Sequence, residues 1–215
     1  MAEILFIDKP KGITSFDVIR RLRRRIGIQK IGHAGTLDPN ASGLLIVGVG
    51  KGTGRLQEFM SLPKTYAMDV LLGIRTDTGD MEGQTVDQRP VTDVDMEKLN
   101  LILTETVGEI ELPAPVYSAL KYKGKPLYLY ARKGIPVKPK IKKMHIRSLT
   151  LIETAREGDC YLLRIEMECG RGTYARAVAE EIGRRLGVPA TIKDLRRTAI
   201  GPYRAEDAEK LRPFA

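Results

Sequence analysis

Residues 32–43 read Gly32-His33-Ala34-Gly35-Thr36-Leu37-Asp38-Pro39-Asn40-Ala41-Ser42-Gly43. The stretch is too rich in Gly and Pro for a regular element and must be a loop. Immediately after it, Leu44 to Val49 is a compact apolar run of the kind that makes a buried strand. Asp38 is therefore carried on a shaped loop that leads into the core sheet, a common way of presenting a functional side chain. An Asp before Pro is by itself an ordinary turn former, so its importance has to be argued from the rest of the chain.

Toward the N-terminus, Ile4 to Ile7 is a short apolar run stopped by Asp8-Lys9-Pro10-Lys11-Gly12, which predicts a strand and a turn. Thr14 and Asp17 have capping-box spacing. Val18, Ile19, Leu22 and Ile26 then supply the apolar face of a helix ending near Gly27. Its other face carries Arg20, Arg21, Arg23, Arg24 and Arg25 with no evident acidic partner, which suits either a solvated face or a phosphate backbone. Toward the C-terminus, Gly48 to Gly54 is glycine-rich and holds Lys51. It is no phosphate-binding loop, because Lys51 is followed by Gly52 and position 45 is Leu45. These glycines instead let a strand turn tightly into the next helix.

Tyr66, Met68, Val70 and Leu72 alternate as in a strand, and Met96, Leu99, Leu103 and Val107 keep helical spacing behind a Thr92/Asp95 capping box, predicting a helix from about 94 to 106. Leu163, Ile165, Met167 and Cys169 alternate with Arg164, Glu166 and Glu168, a strand with one buried face that runs into Gly170-Arg171-Gly172. Tyr174, Val178, Ile182 and Leu186 mark a following helix, with Arg176, Glu180 and Arg184 on another face. A last strand is expected over Leu195 to Ile200, then a short helix from about Ala205 to Leu211.

At 215 residues and 42% hydrophobic composition the chain is long enough to bury a sizeable core. With no internal repeat or low-complexity linker, the simplest organisation is one mixed domain with a basic insertion. A net charge of +9 favours a polyanionic partner. The charge is uneven: acidic residues predominate from Thr76 to Glu111, whereas Lys121 to Arg147 contains no Asp or Glu and interleaves its cations with Tyr122, Tyr128 and Tyr130. Cations track a sugar-phosphate backbone and tyrosines stack on bases, so this stretch fits RNA better than a membrane face. Two cysteines and two histidines, Cys160, Cys169, His33 and His145, do not suggest a structural zinc cluster. Neither a leader of secretory type nor a long apolar span is evident, and a cytoplasmic location is expected.

The segment Gly32 to Pro39 resembles the signature of the tRNA pseudouridine-55 synthase (TruB) family. The resemblance continues in the family's order through Asp8-Lys9-Pro10, Lys64-Thr65-Tyr66, Thr76-Asp77-Thr78-Gly79-Asp80, Tyr117-Ser118-Ala119, Gly172-Thr173-Tyr174-Ala175-Arg176 and Leu195-Arg196-Arg197-Thr198, almost the whole chain. It implies an α+β pseudouridine synthase fold, with a curved, mixed, mostly antiparallel sheet flanked by helices around a central cleft. It also implies isomerisation of uridine 55 in the T-loop of tRNA, without a cofactor or metal. Asp38 takes the place of the family's indispensable aspartate, which either attacks C1′ of the ribose or assists a glycal-type route. Arg176 falls where the family has the ion-pair partner of that aspartate.

By the same resemblance Tyr66 stacks on the target base and is a candidate for handling the C5 proton, and Leu195 seals the uracil pocket. Lys9 and Tyr174 support the site. His33 enters the T-loop in place of flipped bases, and Asp80 contacts a neighbouring one. The basic stretch 121–147 closes over the T-arm. Residues expected on the RNA backbone are Arg20, Arg24, Lys121, Arg132, Lys140, Lys142 and Lys143. Many bacterial members continue into a C-terminal PUA domain; this chain is read as the catalytic domain without one, acting as a monomer with no obligatory protein partner. The competing readings are the catalytic subunit of a guide-RNA-dependent rRNA synthase and a non-catalytic RNA-binding module.

Overall fold

A computed structural model describes residues 2–211 of the chain. In order, the elements are β1 (Ala2–Lys9), α1 (Ser15–Ile26), β2 (Ile31–His33), β3 (Ser42–Gly50), a 3₁₀ turn (Lys51–Arg55), α2 (Leu56–Ser61), β4 (Lys64–Leu72), β5 (Ile74–Thr76) and β6 (Thr85–Gln88). Then come α3 (Met96–Thr106), β7 (Gly108–Pro113), β8 (Lys121–Tyr122), β9 (Lys125–Pro126), α4 (Leu127–Ala131) and β10 (Ile141–Glu157). The chain ends on β11 (Cys160–Cys169), α5 (Ala175–Leu186), β12 (Ala190–Ile200), β13 (Tyr203–Arg204) and β14 (Glu209–Lys210). The architecture is α+β with a mixed, mostly antiparallel sheet. The residues cluster into two compact units, Met1–Ala67 with Glu166–Arg171 and Asp194–Ala215, and Met68–Ile165 with Gly172–Lys193.

In the first unit β1 pairs antiparallel with β3, Ile7 opposite Leu45, and parallel with β14, Ile7 opposite Glu209. β3 also pairs antiparallel with β2 and parallel with β12, where Arg197 sits opposite Gly43. Leu44 to Val49 is buried throughout because the two faces of β3 serve two cores. Leu45, Val47 and Val49 pack with Ile7, Ile31 and the Val18, Ile19, Leu22 face of α1. Leu44 and Ile46 pack with Phe59, Ala34 and Ile200. Each of the large apolar side chains removed from water contributes about 1.5–3 kcal/mol.

α1 has the cap its sequence specifies. The Thr14 hydroxyl accepts from Asp17 N–H, the Asp17 carboxylate accepts from Thr14 N–H, and Gly27 closes the helix in the left-handed region. The glycine run after β3 also acts as read. A side chain at Gly52 would stand 2.3 Å from the Glu3 carbonyl oxygen, so only glycine lets the chain turn there.

In the second unit β10 pairs antiparallel with β7, and α3 packs against α5. The register sets Lys143 opposite Glu111 and His145 opposite Glu109, so the acidic and basic stretches that contrast in sequence become partly cross-strand neighbours. Residues 121–126 form a two-strand hairpin whose turn residues Lys123 and Gly124 both have positive φ, the backbone of a type I′ turn.

Three local expectations are corrected. The segment from Ala205 to Leu211 is not helical: it turns and forms β14 along the open edge of β1. A seven-residue segment gains too few internal bonds to offset helix nucleation, while an edge strand offers unpaired backbone groups at once. At α3 the cap is Asp95 itself, accepting from Lys98 N–H, in place of a Thr92/Asp95 box. The loop around Asp38 is also shorter than its composition suggests, since Gly32 and His33 pair with Gly48 and Val47 as part of β2.

Two substitutions grade these constraints. Gly43 has φ 102°, and a Cβ there would lie 2.2 Å from the Arg197 carbonyl oxygen. Gly43→Ala is expected to cost about 3 kcal/mol or more in urea unfolding, against about 1 kcal/mol for Thr14→Ala, which removes one helix cap. Equal losses in the two variants would contradict this packing.

Candidate active site

The loop between β2 and β3 is held by its backbone. Ala34 N–H donates to the Ile46 carbonyl at 2.9 Å. The buried Ser15 hydroxyl, at the start of α1, donates to the Leu37 carbonyl at 3.1 Å and accepts from Leu37 N–H at 2.9 Å. The Pro39 carbonyl accepts from Gly12 N–H and from the Lys9 ammonium, both at 3.0 Å. Lys9 is fully buried, and its remaining protons go to the carbonyls of Pro10 and Ile13. It therefore ties the β1 turn to the loop. A buried ammonium is tolerated there because several carbonyl dipoles solvate it.

Arg197, on β12, completes the set. It is 1% exposed, and its guanidinium donates to the carbonyls of Leu44 at 2.7 Å, Gly35 at 3.1 Å and Thr36 at 3.4 Å. Ala34, Leu37 and Ala41 are buried as apolar anchors while Asp38 remains half-buried. The result is a carboxylate on a backbone fixed on both sides, suited to acting as a nucleophile or base without first paying for loop ordering. Neither Ser15 nor Arg197 stood out in the sequence as a site residue. Ser15 carries no motif or periodicity signal of its own, and Arg197 is one of two adjacent arginines in Leu195-Arg196-Arg197-Thr198.

Tyr66 lies on β4, half-buried. Burial pushes its phenol up from the ordinary value, opposed by the nearby Arg197 charge, with Cys169 and Asp38 adding negative potential. The hydroxyl is thus protonated at neutral pH and close enough to both Arg197 and Asp38 to feel them. His33 is held below its usual value, first by burial and then by Arg197, so it is neutral near pH 7. Its buried Nδ1 finds no hydrogen-bond partner among the described residues. Leu195 is buried on β12. Lys9, His33, Asp38, Tyr66 and Leu195 all lie in the first unit.

Arg176, Asp80 and Tyr174 lie in the second unit. Arg176 is no exposed helix arginine: it is 5% exposed on α5 and donates to the carbonyls of Thr78 at 2.6 Å and Tyr117 at 2.9 Å. Asp80 lies 3.9 Å from its Nε and accepts from the Thr78 hydroxyl at 2.7 Å and from Glu82 N–H at 3.1 Å. Gly79, with φ 75°, lets the turn lie against Arg176 and Glu180. Burial raises the Glu180 carboxyl, and Arg75 and Arg176 oppose that rise. Tyr174 is the residue before α5, half-buried, with no side-chain cap bond.

Of the residues expected on RNA, Lys121, Arg132, Lys140, Lys142 and Lys143 are all exposed. The tyrosines among them are less free than their spacing suggests. Tyr122 and Tyr130 pack edge to face with centroids 5.5 Å apart, and Arg132 lies over Tyr128. On α1, Arg20, Arg21 and Arg24 line a cavity of about 280 Å³ with Ile13 and Asp17. The expectation of five arginines without acidic partners is corrected: Arg20 pairs with Asp17, and Arg25 with Glu209 brought in by β14. Among the described residues no helix is long and apolar enough to cross a membrane.

A family profile described as "TruB family pseudouridylate synthase (N terminal domain)" matches residues 23–175. The chain is 43% identical over 211 residues to the tRNA pseudouridine synthase B of Geobacillus kaustophilus, covering 96% of this chain and 74% of that one. It is 43% identical over 210 residues to the protein of that name from Desulfotalea psychrophila, covering 96% and 85%. For the one from Aromatoleum aromaticum the figures are 44% over 208 residues, 97% and 66%. Among solved structures, a chain of a Cbf5-Nop10-Gar1 complex superposes with a TM-score of 0.71 at 29% identity, over 97% of this chain. The chain spans about half the length of that protein, 52%.

Lys64 gives the site a pH signature. Its ammonium donates to the carbonyls of Met60 at 2.7 Å and Leu62 at 2.6 Å, yet burial, then Arg197, pull it from 10.5 to about 8. Unfolded, a lysine keeps about 10.4. Between these values the unfolded chain binds more protons, so Lys64 adds stability as pH rises from about 8 to 10, and below 8 its penalty is complete. Urea unfolding at pH 7, 8, 9 and 10 is expected to show wild type gaining on Lys64→Met across that window. Parallel curves would contradict the assignment.

Proposed function

The chain belongs to the TruB family of pseudouridylate synthases, and from that premise we propose that it isomerises uridine to pseudouridine in the T-loop of tRNA, at position 55. The observation that carries the reading is the loop geometry: the backbone from Gly35 to Pro39 is pinned by Lys9, Gly12, Ser15 and Arg197 while Asp38 keeps access to solvent. The relatives named tRNA pseudouridine synthase B support tRNA as the substrate.

The reaction breaks the bond from uracil N1 to ribose C1′, turns the base and joins C5 to C1′. The proton lost from C5 is matched by one gained at N1, so no redox partner is consumed. Asp38 acts on the ribose, at C1′ or by removing a ribose proton, and must be ionised to do either. Arg176 is proposed as its ion-pair partner. Arg176 reaches that task with its guanidinium already oriented by the Thr78 and Tyr117 carbonyls. Tyr66 stacks on the uracil and handles the C5 proton, Leu195 closes the apolar side of the pocket, and Lys9 and Tyr174 support the surrounding backbone.

The target base is stacked in its hairpin and has to be extruded, at a cost of a few kcal/mol. His33, neutral because buried, enters the T-loop in its place, and Asp80 contacts a neighbouring flipped base. Lys121, Arg132, Lys140, Lys142 and Lys143, with Arg20 and Arg24 on α1, follow the RNA backbone. The protein works as a monomer in the cytoplasm, without cofactor, guide RNA or obligatory protein partner. The Cbf5 chain, by contrast, is named with two protein partners.

The test is incubation of the purified chain alone with unmodified tRNA transcript, followed by mapping of pseudouridine at single-nucleotide resolution. Product is expected at position 55 only. Asp38→Asn is expected to lose at least about 10⁴-fold in rate while binding tRNA within about twofold. Product at other loops, a requirement for added protein or guide RNA, or an active Asp38→Asn would each refute the proposal.

A further inference from the structure

The first helix turns to solvent an aromatic ring that no role above uses. Val18, Ile19 and Leu22 commit one side of α1 to the core, yet Phe16, in its first turn, is 56% exposed. Arg23, two turns on, lies over that ring with its guanidinium carbon 5.7 Å from the centroid, within reach of a cation–π contact. The Arg23 Nε is buried and meets no acceptor among the described residues, so the ring is what orients the group there. Phe16 and Arg20 are four residues apart and hence neighbours on the helix surface. Arg20 in turn lines a cavity of about 280 Å³ with Ile13, Asp17, Arg21 and Arg24, several times the volume a water molecule takes in the liquid. Three guanidinium groups face one carboxylate there, and Asp17 is committed to the Thr14 cap and to Arg20. A single exposed phenylalanine calls for no explanation. Beside an electropositive cavity it makes the pair of features that unpaired RNA is held by, a stacking platform and a seat for phosphate.

We propose that α1 carries a subsite for one unpaired nucleotide of the RNA: its base stacks on Phe16, and the adjoining phosphate enters the cavity between Arg20, Arg21 and Arg24. The proposal rests on tRNA as the substrate and adds a base contact to the backbone contacts given to Arg20 and Arg24 above. The occupant is an unpaired nucleotide because a base inside a duplex already has both faces stacked, while a phosphate alone would leave the ring unused. The place in the fold agrees. Phe16 follows Ser15, whose hydroxyl holds both backbone groups of Leu37, and the carbonyl of Ile13 accepts from the Lys9 ammonium at 2.7 Å. The subsite therefore adjoins the loop that carries Asp38, where the strand on one side of an extruded uridine has to run. Holding a neighbouring nucleotide there keeps that strand from closing back into its stack.

The experiment compares dissociation constants for unmodified tRNA transcript and for a fully paired RNA duplex of similar length, at several salt concentrations. The proteins are wild type, Phe16→Ala, Phe16→Tyr, Arg20→Gln and Arg24→Gln, each checked by its thermal midpoint. Leu101→Ala, which removes a comparably exposed apolar side chain from α3, is the control. Phe16→Ala is expected to weaken tRNA binding about tenfold at every salt concentration, with duplex binding changed by less than about twofold. Phe16→Tyr keeps the ring and should bind tRNA within about twofold of wild type, as should Leu101→Ala. Arg20→Gln and Arg24→Gln should each reduce the slope of log affinity against log salt by about one on tRNA. Wild-type tRNA affinity in Phe16→Ala, an equal loss on the duplex, or an unchanged slope in both arginine variants would each overturn the proposal. A wild type that binds tRNA through Phe16 but forms no pseudouridine would sink the proposed reaction and leave the subsite standing. A wild type that fails to bind tRNA would sink both.

Discussion

A carboxylate proposed to act from a loop is useful only if the loop does not have to be ordered during the reaction, and in this protein the ordering is done by polar side chains buried beneath it. Lys9, Ser15 and Arg197 reach the loop from β1, α1 and β12 and satisfy the backbone groups of Gly35, Thr36, Leu37 and Pro39. Two of the three carry a full positive charge into the interior, where an unpaired charge would be heavily penalised. Three of the carbonyls that solvate them, those of Gly35, Thr36 and Pro39, belong to the loop itself, so the loop and the cations depend on one another. Removing either side leaves buried groups unsatisfied, at a cost larger than the bond is worth when intact.

The rest of the first unit makes this arrangement possible. β3 is buried on both faces, with α1 and β1 on one side and Phe59 and Ile200 on the other, and it anchors both ends of the hairpin that contains the loop. The close parallel contact with β12, which demands glycine at position 43, delivers Arg197 to its carbonyl partners. In the second unit the turn around Gly79 and the start of α5 orient Arg176 by the same logic, with carbonyls of Thr78 and Tyr117 as the fixed acceptors. Both arginines donate to backbone carbonyls.

What the sequence revealed follows the range of the interactions involved. The Thr14 to Asp17 cap, the glycine that ends α1 and the alternation of Leu163, Ile165, Met167 and Cys169 are local, and the structure reproduces each of them. The exchange between Ser15 and Leu37 joins residues 22 apart, and the bonds from Arg197 to Leu44 and Gly35 join residues 153 and 162 apart. No periodicity encodes such pairs. The same distance in sequence hid Glu209 as the partner of Arg25, and Glu111 as the cross-strand neighbour of Lys143, so both charge runs looked more solitary than they are. The segment after Ala205 looked helical because its local propensity was read without the open edge of β1 beside it. Asp38 itself was legible only through the resemblance of its surrounding motif, since by composition it was an ordinary turn residue.

The central claim is that the Asp38 loop is held in the free protein as firmly as the core, and native-state hydrogen exchange at the Leu37 amide tests it most directly. That N–H is bonded to a hydroxyl 2.9 Å away on a buried serine. The account predicts that Leu37 exchanges only through global unfolding, with the same opening free energy and denaturant dependence as the amides of β3. Exchange within minutes, at the rate of an exposed loop and insensitive to denaturant, would show that the loop opens on its own and would contradict it.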